Sequence, residues 1–155
     1  MLIYWREHRV TWGECDPFGL VYYPHMLAWF NDTEHALWRA LGQPIEGMIA
    51  RDRTTFVMGE VAFRFSGPIR YGEPVLCMVR VEHIGRSSLK WGTRCIAAAD
   101  GAPVYAGSAT RVYARIHDDQ SVRAVPIGSE LRALLEGPSP RSSPLSPTIR
   151  AILEA

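Results

Sequence analysis

The sequence predicts an α+β fold in which one long apolar helix lies against an antiparallel sheet of about five strands, and three observations carry that reading. Residues 24–41 repeat Leu27, Phe30, Leu37 and Leu41 at helical spacing. Four later segments alternate apolar with other residues at the period of a strand. Asp100-Gly101 stands between the last two of them as a hairpin signal, which makes that pair antiparallel.

Along the chain, residues 6–12 read as the first strand, and Gly13, Pro17 and Gly19 turn residues 13–23 into a loop. Pro24 suits the first turn of the helix, where its missing N–H needs no partner, and Gly42 suits the position just past its end. Trp29 and Trp38 widen the apolar surface beyond one stripe, so the helix is expected to be enclosed by other structure. Val57, Val61, Phe63 and Phe65 share one face of a second strand, closed by Gly67-Pro68. Val75, Cys77, Val79 and Val81 form the third, bounded by Gly72 and Gly85; residues 89–98 and 104–116 form the fourth and fifth. Residues 126–136 read as a short amphipathic helix ended by Gly137. Residues 1–137 thus make the folded domain. Residues 138–155 make a tail that is rich in Pro and Ser and mobile over 138–147, with one or two helical turns over 148–154.

A chain of 155 residues supports one domain. Its 17 Lys and Arg balance 16 Asp and Glu, and no basic run stands out, which excludes a nucleic-acid footprint. No apolar run is long enough to cross a bilayer, and Arg6, Glu7 and His8 interrupt any signal-peptide core. Cys15, Cys77 and Cys95 are odd in number and far apart, so they read as reduced thiols of a cytoplasmic protein. The five histidines show no ligand spacing and the cysteines no C-x-x-C, so no metal is expected. There is no G-x-S-x-G elbow, no G-x-G-x-x-G and no Walker loop, and no cofactor is expected.

The loop and helix start carry the most specific pattern: Glu14, Asp16-Pro17, Gly19, Val21, Tyr22-Tyr23 and Pro24. Phe65, Pro68, Arg70-Tyr71-Gly72 and Gly85-Arg86-Ser87-Ser88 add weaker pieces. Together, over residues 6–132, they resemble the 4-hydroxybenzoyl-CoA thioesterase family. The resemblance implies a hotdog fold, in which the sheet wraps one central helix. It implies hydrolysis of an acyl-CoA thioester without metal or cofactor, and a homodimer or homotetramer with its active sites at a subunit interface. By the same resemblance Asp16 is the catalytic carboxylate and the backbone N–H of Tyr23 the oxyanion donor. Arg86, Ser87, Ser88 and Lys90 then bind the CoA, and Asn31 lies at the acyl pocket, where many relatives carry an acidic residue.

The residues make chemical sense in those roles. Thioester hydrolysis needs a carboxylate that attacks or activates water, and donors for the developing oxyanion. An amide at a helix N-terminus supplies such a donor with the positive end of the helix dipole behind it. Taken alone, Asp16 also reads as the first residue of an Asp-Pro turn, and its role as nucleophile or general base stays open. Glu34 falls seven positions after Leu27 on the same helix face, so it must find a partner or a wet pocket. Glu60 reads as an exposed strand position, and His25 as a solvated residue of the first helical turn. Other readings are an aliphatic acyl-CoA or acyl carrier protein thioesterase and a non-catalytic acyl-CoA-binding module. A hydratase needs an Asp/His pair, which Asp16 and His25 match poorly.

Overall fold

The structure is a computed structural model that describes residues 2–142 and 144–155. Its elements run β1 (Ile3–Arg9), α1 (Tyr23–Ala40), α2 (Ile45–Asp52), β2 (Thr54–Phe65), β3 (Pro74–Ile84), β4 (Ser88–Ala97), β5 (Pro103–Ile116), β6 (Val122–Ala124), α3 (Ser129–Glu136) and α4 (Pro147–Glu154). The strands form one antiparallel sheet in the order β1-β3-β4-β5-β2, with β6 added to the end of β5. β1 and β2 are therefore the two long edges.

The inner face of the sheet wraps α1. Phe30, Leu37 and Trp38 of the helix are buried with Val79, Val81, Leu89, Trp91 and Ala109, all on the inward period of β3, β4 and β5. Met26 and Trp29, nearer the helix start, pack with Val75, Cys77, Cys95 and Tyr105. Each large apolar side chain buried this way contributes about 1.5–3 kcal/mol, so this face is the main reason the sheet curls round the helix.

The expected strand over residues 6–12 lies at Ile3–Arg9 instead, and Trp12–Glu14 is a turn of 3-10 helix. β1 stops at Arg9 because that residue faces Pro74, which has no N–H to continue the ladder. Two elements were not read from the sequence. α2 is a single amphipathic stretch of eight residues that buries only Met48, and β6 is three exposed residues held by pairing with β5.

The tail differs from its composition. The Ser139 and Ser142 hydroxyls accept from the β1 amides of Ile3 (2.9 Å) and Trp5 (3.4 Å), so this Pro- and Ser-rich segment lies along the β1 edge. α4 then buries Leu153 against Trp5, Leu76, Met78 and Ile96 on the outer face of the sheet. Arg94 donates to the Ile152 carbonyl at 2.6 Å and fixes the helix end. Among the described residues no helix is long and apolar enough to cross a membrane.

Candidate active site

Asp16, Pro17, Phe18 and Gly19 form a β-turn between β1 and α1, closed by the Gly19 N–H donating to the Asp16 carbonyl at 2.9 Å. Gly19 has φ 73°, which a side chain would strain. Asp16 Oδ1 accepts from the amides of Phe18 (2.9 Å) and Leu20 (3.2 Å). Oδ2 has no partner among the described residues. The turn role of Asp16 is thus met by one oxygen alone.

The next segment runs back along this turn into the helix. Cys15 bridges Val21, and Asp16 N–H donates to the Leu20 carbonyl at 2.7 Å. Tyr22 caps α1 in extended conformation, its carbonyl accepting from His25 N–H at 3.0 Å. Pro24 has no N–H. The Tyr23 amide is consequently the donor of this first turn with no acceptor among the described residues. Beside it an apolar cleft of about 370 Å³ is lined by Leu20, Val21, Tyr23, Met26, Phe65 and Pro68. The Tyr23 and Phe65 rings meet edge to face at 5.8 Å. His25 is half-buried, and its ring meets that of Tyr22 at 6.2 Å.

Glu14 sits two residues before Asp16 and is largely enclosed. Its carboxylate accepts from Trp29 Nε1 of α1 (2.7 Å), from the Thr11 amide (2.7 Å) and from His8 Nε2 of β1, which lies 3.0 Å from both oxygens. Burial alone pushes this carboxyl up. The Thr11 amide, the Trp29 indole and His8 outweigh it and take the group down to about 2. Because both neighbouring oxygens are acceptors, His8 Nε2 carries the proton.

Farther along α1, Glu34 and Arg111 are 1% and 7% exposed. The guanidinium forks onto Glu34, with Nε at 2.9 Å from Oε2, and also donates to Asn31 Oδ1 at 2.6 Å. Trp91 Nε1 donates to Glu34 at 3.0 Å. This is the partner that Glu34 required, supplied from β5. The side-chain oxygen of Asn31, expected at the acyl pocket, accepts from Arg111 in this network. Glu60 is exposed, as expected.

The remaining expected site residues lie elsewhere. Arg86, Ser87 and Ser88 turn β3 into β4, with the Arg86 carbonyl accepting from Ile127 and the Ser87 carbonyl from Tyr113. β3 starts beside His8 and Arg9 near the Asp16 loop and runs away from it. At about 3.3 Å per residue, this turn is roughly 30 Å from Asp16 along the strand. Lys90 is exposed and pairs with Glu82 at 3.7 Å. Within one chain, then, Asp16 and Tyr23 lie on either side of the bridge between Cys15 and Val21, but Arg86, Ser87, Ser88 and Lys90 are far from both. Sequence reasoning missed Arg111 and the bonding of Glu14. The available signals were a charge among the inward positions of the fifth strand and an acid flanking the Asp-Pro turn. Among the described residues no cluster of three or more His, Cys, Asp or Glu is placed to hold a metal ion.

The fold matches solved hotdog thioesterases over nearly their whole length. A 1,4-dihydroxy-2-naphthoyl-CoA thioesterase from Synechocystis is 12% identical with a TM-score of 0.79, over 88% of this chain and 99% of that one. A gentisyl-coenzyme A thioesterase is 24% identical with a TM-score of 0.74, over 84% and 98%. The 4-hydroxybenzoyl-CoA thioesterase of a Pseudomonas strain is 19% identical with a TM-score of 0.75, over 86% and 99%. No curated protein matches at a comparable level of significance. The structure is thus a hotdog fold of the kind those thioesterases share. Residues 10–151 match the thioesterase-like superfamily, and the chain belongs to that family of thioester hydrolases.

Proposed function

We propose that the chain hydrolyses an acyl-CoA to the free acid and CoA, with Asp16 as catalytic carboxylate and the Tyr23 amide as oxyanion donor. The observation that carries this is a pair of unspent groups at the two ends of one short loop, Asp16 Oδ2 and the Tyr23 N–H, with Tyr23 lining an apolar cleft. As general base, Asp16 takes a proton from water as its oxygen adds to the thioester carbon. The carbonyl oxygen then becomes an oxyanion at the Tyr23 N–H, and the C–S bond breaks as the thiolate leaves with a proton. As nucleophile, Asp16 forms an anhydride that water opens. Both routes use the same two groups.

The cleft is lined by aliphatic and aromatic side chains with no charged group. Only Tyr23 brings a polar side-chain atom to this lining, so an apolar acyl group, aromatic or aliphatic, suits it. The similar structures act on hydroxylated aromatic acyl groups by their names, which supports an aromatic thioester without requiring the hydroxyl.

The site is completed by a second copy. β2 has a free edge, and on its inner face Met58, Val61 and Phe65 remain 38–45% exposed where α1 no longer covers them. The β1 edge is covered by the tail, which leaves β2 for a two-fold contact. Two-fold pairing of β2 with its copy is antiparallel. It moves the far end of the partner's sheet towards this chain's Asp16 turn, and with it Arg86 of the partner subunit. This supports a homodimer in which Arg86, Ser87 and Ser88 meet the CoA across the interface; pairing of dimers would give the tetramer. The cysteines are free thiols, which supports a cytoplasmic location.

A kinetic screen over benzoyl-CoA, 4-hydroxybenzoyl-CoA, hexanoyl-CoA and the matching acyl carrier protein thioesters tests the reading. Turnover of a CoA ester is expected, with benzoyl-CoA at least equal to its hydroxylated form. Hydrolysis of carrier protein thioesters alone would overturn the CoA assignment. A light-scattering mass near 17.4 kDa at full activity would overturn the dimer.

A further inference from the structure

We propose that Glu14 is a positioning residue that holds the Asp16 turn in register with the start of α1; this rests on the catalytic reading of Asp16 and Tyr23. Glu14 touches neither reacting group, yet it is joined to the elements that carry both. Its main-chain carbonyl accepts from the Tyr22 amide at 2.8 Å, immediately before the oxyanion donor. Its side chain reaches Trp29, six residues along the same helix, at 2.7 Å. It also ties to β1 through His8 and to the entry of the 3-10 turn through the Thr11 amide.

Pro17 and Phe18 are exposed, and Phe18 packs on nothing of its own chain large enough to bury it. The turn is closed locally by Asp16 and is anchored to the 69–70 segment through Leu20 and Val21, but its side-chain link to α1 runs through Glu14. A carboxylate is the right group for this point because all three neighbours, the indole, the amide and the imidazole N–H, are donors. A Gln amide offers one acceptor oxygen and turns an NH₂ towards donors. The His8 ring lies 5.0 Å from that of Trp29, so the imidazole also packs on the indole it shares Glu14 with. The network joins three elements of the fold and includes neither Asp16 nor the Tyr23 amide. Its product is geometry.

A displaced Asp16 turn changes the approach of the carboxylate or its water to the thioester carbon more than it changes binding of the CoA. The signature is therefore a loss in kcat with KM held. The test uses the full chain and the faster of benzoyl-CoA and hexanoyl-CoA, with thermal unfolding recorded for each variant. Glu14→Gln is expected to lower kcat by about tenfold or more, the scale set by misplacements below 1 Å, with KM within about threefold of wild type. Trp29→Phe removes the 2.7 Å donor while keeping a ring in the core, and is expected to lower kcat in the same direction by about threefold. It keeps the test decisive should Glu14→Gln not fold. Wild-type kcat in folded Trp29→Phe and Glu14→Gln, or a loss confined to KM, overturns the proposal. Asp16→Asn is measured alongside. An inactive Asp16→Asn beside fully active Glu14→Gln and Trp29→Phe removes only the positioning role. A fully active Asp16→Asn removes the catalytic reading on which it rests.

Discussion

Midway along α1 the Glu34 carboxylate accepts from Arg111 and from Trp91, and neither of its oxygens is left over. Just before the same helix begins, Asp16 uses one oxygen to hold its own turn and keeps the other unbonded. The first region spends its hydrogen-bonding capacity on joining α1 to β4 and β5. The second withholds it, and withholds the Tyr23 amide as well. The difference separates two jobs that look alike in sequence, since each is an acidic residue among apolar neighbours. A saturated buried carboxylate fixes packing, whereas a half-saturated one keeps an oxygen unspent, which is what the proposed chemistry requires.

The largest effect expected from testing that contrast is on the saturated side. Arg111→Ala leaves the buried Glu34 charge without its counter-ion, and is expected to cost about 3–5 kcal/mol of stability, the usual scale for breaking a buried pair from one side. Chemical denaturation of the folded variant measures it. A loss below about 1 kcal/mol would show that water reaches Glu34 and that the contrast is overdrawn.

Next in size is the acid limb of stability. Glu14 is held at about 2 against an ordinary 4.5, so its contribution is fully present above pH 4.5 and is lost as pH falls towards 2. At about 1.4 kcal/mol per pH unit this amounts to at most about 3.5 kcal/mol, and less in so far as water reaches the carboxylate. Urea midpoints between pH 5 and pH 2.5 should fall in the wild type. Glu14→Gln should flatten that part of the curve; an unchanged slope would mean that other carboxylates carry it.

The smallest effect concerns the site residues that one chain does not assemble. Arg86→Ala is expected to raise KM for acyl-CoA by about tenfold, the equivalent of one charge-assisted phosphate contact of about 1.5 kcal/mol. A pantetheine thioester without the nucleotide should be little affected. Equal losses on both substrates would place Arg86 in folding instead.

The sequence made the central helix, the five long strands and the Asp16 loop legible because each is written in local periodicity or in turn chemistry. Glu34 was legible as a problem: a carboxylate on an apolar helix face must be paired. Its solution was not, because Arg111 is 77 positions away and only the register of β5 brings it there. The placement of Arg86 was hidden for the same reason, since motif order does not say which end of a strand a turn occupies. α2 and the packing of the tail were hidden because their stability comes from contacts with the rest of the fold. An eight-residue helix is marginal alone. The Ser139 and Ser142 hydroxyls matter only because β1 happens to be an edge.

The central claim is that Asp16 Oδ2 is the group that attacks or activates water, and Asp16→Asn tests it most directly. The Asn side-chain oxygen can still accept from the Phe18 and Leu20 amides, so the turn should survive. What is lost is the charge on the unbonded oxygen. With turnover, affinity for a non-hydrolysable acyl-CoA analogue and thermal unfolding measured on the same preparation, kcat is expected to fall by at least about a hundredfold, while analogue affinity and unfolding stay near wild type. Turnover close to wild type in this folded variant would contradict the account and return Asp16 to the role of a turn residue.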